Sequence, residues 1–443
     1  MSSQPESSSA RSLPRVIGMV GATALVIGTV IGSGIFLVPH NVALEVGSAR
    51  SMILVWILGG ALALAGALSL GELGAALPEA GGVYVYLREA YGKLPAFLYG
   101  WGMLLVIESG SVATLAVAFG IYSGSLIPLT PLDQKFVGCA VIAALTLVNI
   151  VGAREGSAVQ IVFTLAKLLG LAIIVGFAIH FHGAIHHAVW PALPMPHATI
   201  SSFGVALVGV LWAYEGWHML SFSAGEVKDP GRTLPRSYFI GMIVVVAVYL
   251  AANFAYLRVL PLPALAVHQR VAARAMQILA GPWGATFVTI LILCSIFGAI
   301  NGNALAGPRA YYAMARDRVF FKSVGYVHPR FSTPAAAILI QGLWAMVLTL
   351  SGSFQQLYTY VIFSGWIFYG AAVLAVLVLR RRAPGLHRPY HVWGYPVLPV
   401  AFSLAALLIV VNTLVREPGE ALIGLSLILI GIPIYLIWKK DRT

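Results

Sequence analysis

Long apolar runs follow one another along almost the whole chain, separated by short polar segments. A membrane-spanning α-helix needs about 20 predominantly apolar residues, because each residue adds about 1.5 Å across a hydrocarbon core about 30 Å thick. Twelve runs approach or exceed this length. The pattern therefore predicts twelve transmembrane helices, at residues 16–38, 51–76, 95–124, 135–152, 157–181, 202–222, 237–258, 283–307, 334–351, 356–379, 395–415 and 420–438.

The first span contains a segment that is poorly suited to a continuous helix. Residues 27–36 read IGTVIGSGIF, with three glycines in seven residues. Each glycine disfavours a helix by about 1 kcal/mol relative to alanine. Because backbone groups freed at this depth must find partners other than lipid, the segment predicts a broken helix that lines a site. Tight helix packing through Gly28 and Gly32 is the alternative.

A second interruption lies in the sixth span, where residues 210–218 read VLWAYEGWH. A carboxylate, a glycine and a histidine at this depth argue against an ordinary lipid-facing helix. Breaks in spans one and six lie five spans apart, which is the spacing that two inverted five-helix repeats produce. We predict an all-α polytopic membrane protein, with repeat one at about 16–181, repeat two at about 202–379, and helices 11 and 12 appended at about 395–438.

Paired breaks of this kind predict a ligand that carries both charges. The first turn of a helix presents free N–H groups to an anion, and the last turn presents free carbonyls to a cation. Secondary transporters hold substrates in this way near the middle of the bilayer. An amino acid zwitterion is the simplest such substrate.

Composition agrees with a membrane protein throughout. The chain has 443 residues, of which 59% are hydrophobic and 9% charged, with a mean hydropathy of +0.90. These values exclude a soluble domain, so residues 13–443 are predicted to be a single transmembrane domain. The polar, serine-rich residues 1–12 are predicted to be a disordered tail.

The net charge of +12 is distributed unevenly along the predicted topology. Only six Lys or Arg residues fall in predicted external segments, one lies within a span, and the rest are cytoplasmic; the external six are Arg50, Lys135, Arg258, Arg270, Arg274 and Arg416. This asymmetry predicts a protein of the cell membrane (plasma or inner membrane) whose two termini both lie in the cytoplasm. The same asymmetry accounts for the positive net charge, so no nucleic acid partner is expected.

Several chemistries are not supported by the residues. The sequence has no nucleotide-binding G-x-x-x-x-G-K-[ST] element and no catalytic set of Ser, His and carboxylate at membrane depth, so we expect neither an enzyme nor a cofactor. Cys139 and Cys294 lie within spans and imply no disulfide framework. The external loop between spans five and six is rich in histidine and either binds a transition metal or is simply solvated; the histidines are His180, His182, His186, His187 and His197.

Three ionisable residues inside predicted spans are candidates for a functional role. Lys167 in span five costs about 3 kcal/mol on insertion scales unless it has a partner or reaches the interface. Glu215 in span six faces either the substrate or an internal partner such as His218. Glu108 in span three is a candidate pocket residue, with pairing to Lys167 as the alternative.

Span eight contributes further polar groups at Ser295, Asn301 and Asn303. Ser295 and Asn301 are candidate pocket residues, and interhelical hydrogen bonding is the alternative.

Four segments together resemble the amino acid–polyamine–organocation superfamily, and within it the L-type amino acid transporter branch and its bacterial relatives. They are residues 32–36 (GSGIF), 212–217 (WAYEGW), 225–236 (GEVKDPGRTLPR) and 306–317 (AGPRAYYAMARD). The resemblance extends from about residue 15 to 416 and implies a LeuT-like fold. It also implies a secondary amino acid transporter that works by alternating access.

The resemblance implies roles for individual residues. The substrate α-carboxylate is expected on the N–H groups of Gly32, Ser33 and Gly34. The α-amino group is expected on carbonyls of the two breaks, at Ile27, Gly28, Val30, Ile31, Trp212 and Ala213. Glu215 completes this candidate set, and Trp212 matches the position of an aromatic gate.

Lys167 is similar to a lysine that replaces sodium in the L-type branch, with its ammonium bridging the first break and the eighth span. This implies sodium-independent transport of L-amino acids, most simply by exchange. Because a buried lysine can also lose its proton, a proton-coupled symporter with Lys167 as the proton carrier is the alternative. Animal relatives join a heavy chain through a cysteine between spans three and four. Residues 127–134 contain no cysteine, so no disulfide-linked heavy chain is expected.

Overall fold

A computed structural model describes residues 15–79, 81–151, 156–180, 199–328, 330–331 and 333–440. Helices account for most of these residues. The α-helices are α1 (Met19–Val30), α2 (Gly34–Val46), α3 (Ala49–Ala76), α4 (Val83–Tyr91), α5 (Lys93–Gly102), α6 (Glu108–Ser123), α7 (Pro131–Val151), α8 (Gly156–His180), α9 (Ile200–Ala213), α10 (Pro230–Val259), α11 (Leu262–Val267), α12 (Val271–Ala306), α13 (Pro308–Arg316), α14 (Ala335–Ser351), α15 (Phe354–Arg382), α16 (Val397–Arg416), α17 (Pro418–Leu429) and α18 (Gly431–Lys440).

The helices confirm an all-α polytopic membrane protein. Across the described ranges, nine helical segments are long and apolar enough to cross a membrane, and the bent pair α1 and α2 makes a tenth. Helices α9 and α14 are apolar but shorter, and they occupy the predicted spans six and nine. The total of twelve spans and the inverted repeat stay predictions.

The first predicted break is present in the structure. Helix α1 ends at Val30, α2 begins at Gly34, and the two axes are bent by 42°. Between them Ile31 adopts an extended conformation, which interrupts the helical hydrogen bonding. The break follows from the glycines at 32 and 34, which weaken the helix at this point.

The second predicted break is also present. Helix α9 ends at Ala213, and a turn over residues 214–218 leads into a 3₁₀-helix at Met219–Glu226. Gly216 in this turn has a φ of 104°, a conformation that a side chain strongly disfavours. The latter part of predicted span six is therefore a turn followed by the start of a 3₁₀-helix.

The two breaks touch each other, although they are far apart in the sequence. The Thr29 hydroxyl donates to the Gly216 carbonyl at 3.2 Å. A Cβ at position 34 would overlap the backbone of Ala213, so only glycine allows this approach. The contacts bring the backbone groups of both interruptions to one place in the interior.

Helix α3 carries a buried carboxylate near its end that joins it to α15 and to the following loop. Glu72 is 1% exposed and accepts two hydrogen bonds from the Arg380 guanidinium, at 2.8 and 2.7 Å. It also accepts the Val392 N–H at 2.7 Å, and Arg388 lies 3.8 Å away. This cluster fixes the end of α3 against the α15–α16 connection.

Candidate functional site

A small cavity is lined by both breaks and by helices α6 and α12. Most of its lining residues are buried, so it lies inside the bundle. Its lining consists of Thr29, Val30, Gly32, Ser33, Gly34, Glu108, Ser111, Leu115, Trp212, Glu215, Gly216, His218, Ala299 and Asn303. Backbone amides and two carboxylates thus share one enclosed space.

The start of α2 presents main-chain donors at this cavity. The N–H groups of Ser33, Gly34 and Ile35 have no hydrogen-bond acceptor among the described residues, whereas the Phe36 and Leu37 N–H groups both donate to the Ser33 carbonyl. The Ser33 hydroxyl is fully buried and also lacks a partner in the described part of the chain. Free amides at a helix N-terminus form a site for an anion.

Lys167 on α8 reaches the carbonyls of the first break. The residue is 1% exposed, and its ammonium donates to Gly28 O at 2.7 Å and to Ile31 O at 2.6 Å. Both described hydrogen bonds go to the first break, and the hydrogen bonds seen in the described residues do not join Lys167 to span eight. The ammonium is thus held among backbone oxygens, in the way that carbonyl groups coordinate a bound cation.

Tyr249 on α10 joins the two breaks and is not among the residues predicted from the sequence. Its buried hydroxyl lies 3.0 Å from Val30 O and 2.9 Å from Ala213 O, the last carbonyls of α1 and α9. The Gly32 N–H is directed at the same hydroxyl. The same span also holds Tyr238, Asn253 and Tyr256, so no local pattern distinguishes Tyr249 from them.

The carbonyls predicted to hold an ammonium already accept hydrogen bonds within the protein. Gly28 accepts from Lys167, and Ile27 and Trp212 accept from the backbone N–H groups of Ile31 and Glu215. The carbonyls of Val30 and Ala213 share the single hydroxyl proton of Tyr249. A carbonyl oxygen has two lone pairs, so each can accept once more. An ammonium at this place would nevertheless share these oxygens with existing donors.

Glu215 has one oxygen held by the protein and one without a partner. Its Oε1 accepts the Tyr369 hydroxyl at 2.7 Å, and His218 Nδ1 lies 3.5 Å from the same atom. The His218 Nε2 is in turn 3.3 Å from the Tyr369 hydroxyl. The other oxygen, Oε2, is buried without a hydrogen-bond partner in the described chain. The predicted internal partner is therefore present, and contact of Glu215 with the substrate stays a prediction.

Glu108 begins α6 directly after a π-helical turn at Met103–Ile107. Its side chain is 1% exposed, lines the cavity, and carries an Oε1 that lacks a partner within the described residues. No hydrogen bond or ion pair joins it to Lys167 within the described residues, so the predicted alternative of a pair with that residue is not seen. Single π turns occur frequently at functional sites.

Trp212 lines the cavity at the end of α9 and packs against aromatic rings of α15. Its ring is stacked near Tyr358, at 6.3 Å between centroids, and meets Phe354 edge-on at 6.4 Å. This places a bulky ring between the cavity and α15. Its role as a gate stays a prediction.

Span eight contributes a different residue from the two that were predicted. Asn303 and Ala299, four residues apart on one face of α12, line the cavity. Asn301 faces α7 and accepts a hydrogen bond from Asn149 at 2.9 Å, so it serves interhelical bonding. Ser295 is buried but is not part of the cavity lining.

Of the external histidines, only His180 lies within the described residues, and it contacts Gly176 O.

Apolar spanning helices with two adjacent breaks around an enclosed polar cavity define a multi-pass membrane transporter. The family model described as amino acid permease matches residues 17–436. The chain belongs to this family, in the amino acid–polyamine–organocation superfamily, and is a transporter of amino acids rather than an enzyme.

Characterised relatives span nearly the whole chain. The serine/threonine exchanger SteT of Bacillus subtilis is 33% identical over 439 residues, which cover 97% of this chain and 98% of that protein. The b(0,+)-type amino acid transporter 1 of Homo sapiens is 31% identical, covering 96% and 88%. The cystine/glutamate transporter of Homo sapiens is 30% identical, covering 97% and 86%.

Proposed function

We propose that this chain is a sodium-independent exchanger of L-amino acids, working by alternating access around the two breaks. The observation that carries the proposal is Lys167, whose ammonium donates to the carbonyls of Gly28 and Ile31. Carbonyl oxygens at a helix break are the ligands that bind sodium in related folds. A covalently attached ammonium among them removes the need for a dissociable ion, and one relative is itself named an exchanger.

The substrate α-carboxylate binds at the start of α2. The free N–H groups of Ser33 and Gly34, with the Ser33 hydroxyl, offer donors whose orientation is set by the fold. The α-ammonium binds opposite them, at the remaining lone pairs of the break carbonyls and at Glu215 Oε2.

The transporter resides in the cell membrane with both termini in the cytoplasm, as the charge asymmetry indicates. Trp212 closes the outer path over the substrate. No disulfide-linked heavy chain is required, because residues 127–134 contain no cysteine.

The test is radiolabelled uptake into proteoliposomes that are empty or loaded with amino acids, each with and without sodium and pH gradients. We expect uptake only into loaded vesicles, independent of sodium. The Lys167→Met variant should lose about 10- to 100-fold of exchange activity, because charge-assisted hydrogen bonds to two buried carbonyls disappear. Lys135→Met is the matched control, since Lys135 also donates to a carbonyl, Leu350 O at 2.7 Å, but at the protein surface.

Uptake into empty vesicles driven by an inward proton gradient would overturn the exchange mechanism and support a symporter with Lys167 as the proton carrier. A sodium requirement in the wild type would overturn the role given to Lys167. Equal activity of the Lys167 and Lys135 variants would have the same consequence.

A further inference from the structure

Two buried carboxylates, Glu108 and Glu215, line one cavity, and none of the described residues that line it is a lysine or an arginine. One oxygen of each carboxylate has no hydrogen-bond partner in the described chain. Lys167 does not neutralise them, because its described hydrogen bonds go to two carbonyls. Since buried carboxylates without a counter-charge are strongly disfavoured, the cavity is suited to a cationic occupant.

Glu108 is positioned by two local features. The π turn over residues 103–107 inserts an extra residue before it, and the Ser109 hydroxyl donates to Leu104 O within that turn. The Glu108 stem then packs over Gly307, where any Cβ would overlap it. Glycine at 307 thus leaves room for the carboxylate.

The spacing along α6 separates Glu108 from the amides of the first break. Glu108, Ser111 and Leu115 lie on one face of the helix and all line the cavity. Leu115 marks the amide end, because its side chain would lie 3.3 Å from a Cβ at Gly32. Glu108 is seven residues earlier, about 10 Å along the helix axis. That separation is comparable with the length of an extended lysine or arginine and exceeds that of alanine or serine.

We propose that Glu108 is a specificity-determining residue that receives the side-chain cation of a basic L-amino acid. The substrate carboxylate lies on the amides of the first break, and Glu215 Oε2 neutralises the α-ammonium. With a neutral amino acid Glu108 lacks a counter-charge, and with a basic one every charge in the cavity is paired. The inference rests on the proposed function, since it assumes that amino acids bind here.

The test compares L-lysine with L-norleucine, which has nearly the same shape but no side-chain ammonium. Exchange of each is measured in loaded proteoliposomes as kcat/KM, for the wild type, Glu108→Gln and Glu108→Asp. We expect the wild type to favour lysine. Glu108→Gln should reduce the lysine-to-norleucine ratio by about 10- to 100-fold, the range expected for loss of a buried charge-assisted contact. Glu108→Asp should keep most of the preference, because the charge remains.

Two further variants show whether a change in the lysine-to-norleucine ratio comes from the Glu108 carboxylate or from a general loss of folding. Gly307→Ala should displace the Glu108 carboxylate and lower the ratio while norleucine exchange persists. Glu89→Gln is the control, because it also converts a glutamate to an amide, but on an exposed side chain of α4.

The outcomes separate this inference from the proposed function. Wild-type exchange of norleucine but not lysine would overturn the role of Glu108 and leave the exchanger intact. Equal effects of Glu108→Gln on both substrates would also overturn it. If neutral uptake follows a proton gradient and is lost in Glu108→Gln, the residue carries a proton instead. Absence of exchange for every amino acid would refute the proposed function itself.

Discussion

Tyr249→Phe removes one hydroxyl and keeps the aromatic ring, so it tests whether the two breaks are held together by that group. The hydroxyl lies 3.0 Å from Val30 O and 2.9 Å from Ala213 O, and all three residues are at most 2% exposed. Val30 borders the cavity, so water there can replace the donor at its carbonyl. Ala213 is not part of the cavity lining, and its carbonyl would be left without this donor.

One buried carbonyl deprived of its donor costs about 1–3 kcal/mol. If this cost falls on the arrangement of the breaks that binds substrate, the apparent affinity decreases by about 5- to 150-fold. We therefore expect KM for exchange to increase by at least about fivefold. Substrate should also stabilise the variant less against thermal unfolding, because binding must first restore the order of the breaks.

Tyr256→Phe is a suitable control. Tyr256 lies on the same helix and is fully buried, but its hydroxyl has no hydrogen-bond partner in the described chain. Its removal should change KM by less than about twofold, since no described bond is lost. Equal KM values for the Tyr249 and Tyr256 variants would refute the bridging role of Tyr249.

Two further substitutions test the fold around the site. Glu72→Ala leaves Arg380 without its carboxylate and should destabilise the protein by about 3 kcal/mol or more, seen as a lower melting temperature in detergent; an unchanged melting temperature would contradict the buried ion pair. Gly216→Ala forces a side chain into a φ of 104° and against Thr29 O, so exchange should decrease at least tenfold. Gly176→Ala, with open space around its Cβ, should retain wild-type exchange, and similar losses in both glycine variants would argue against a specific contact at Gly216.

The sequence was sufficient to locate both breaks because their causes are local. Glycine weakens a helix wherever it stands, so the cluster at 28–34 was visible as a pattern. The all-helical membrane architecture could likewise be read from run lengths alone. Lys167 could be identified because a charge within an apolar run is exceptional.

What the sequence did not reveal depends on contacts between distant segments. The bridge made by Tyr249 links residues 30, 213 and 249, and no local pattern records their proximity. The choice of Asn303 over Asn301 depends on the rotation of α12 against its neighbours. The π turn before Glu108 likewise changes the rotation of α6 against its neighbours. Residues 103–107 are all apolar, so the sequence does not indicate a π turn there.

Apart from the Ser33 hydroxyl, the donors at the start of α2 are main-chain groups, and this has a consequence for how the protein can change. Every residue except proline supplies the same N–H, so a point mutation at 33 or 35 rarely removes a donor. Glu108 and Glu215 are side chains, and a single codon change can replace either. Recognition by the main-chain N–H groups is therefore insensitive to most point mutations, whereas the substrate preference set by the two carboxylates can change through a single substitution.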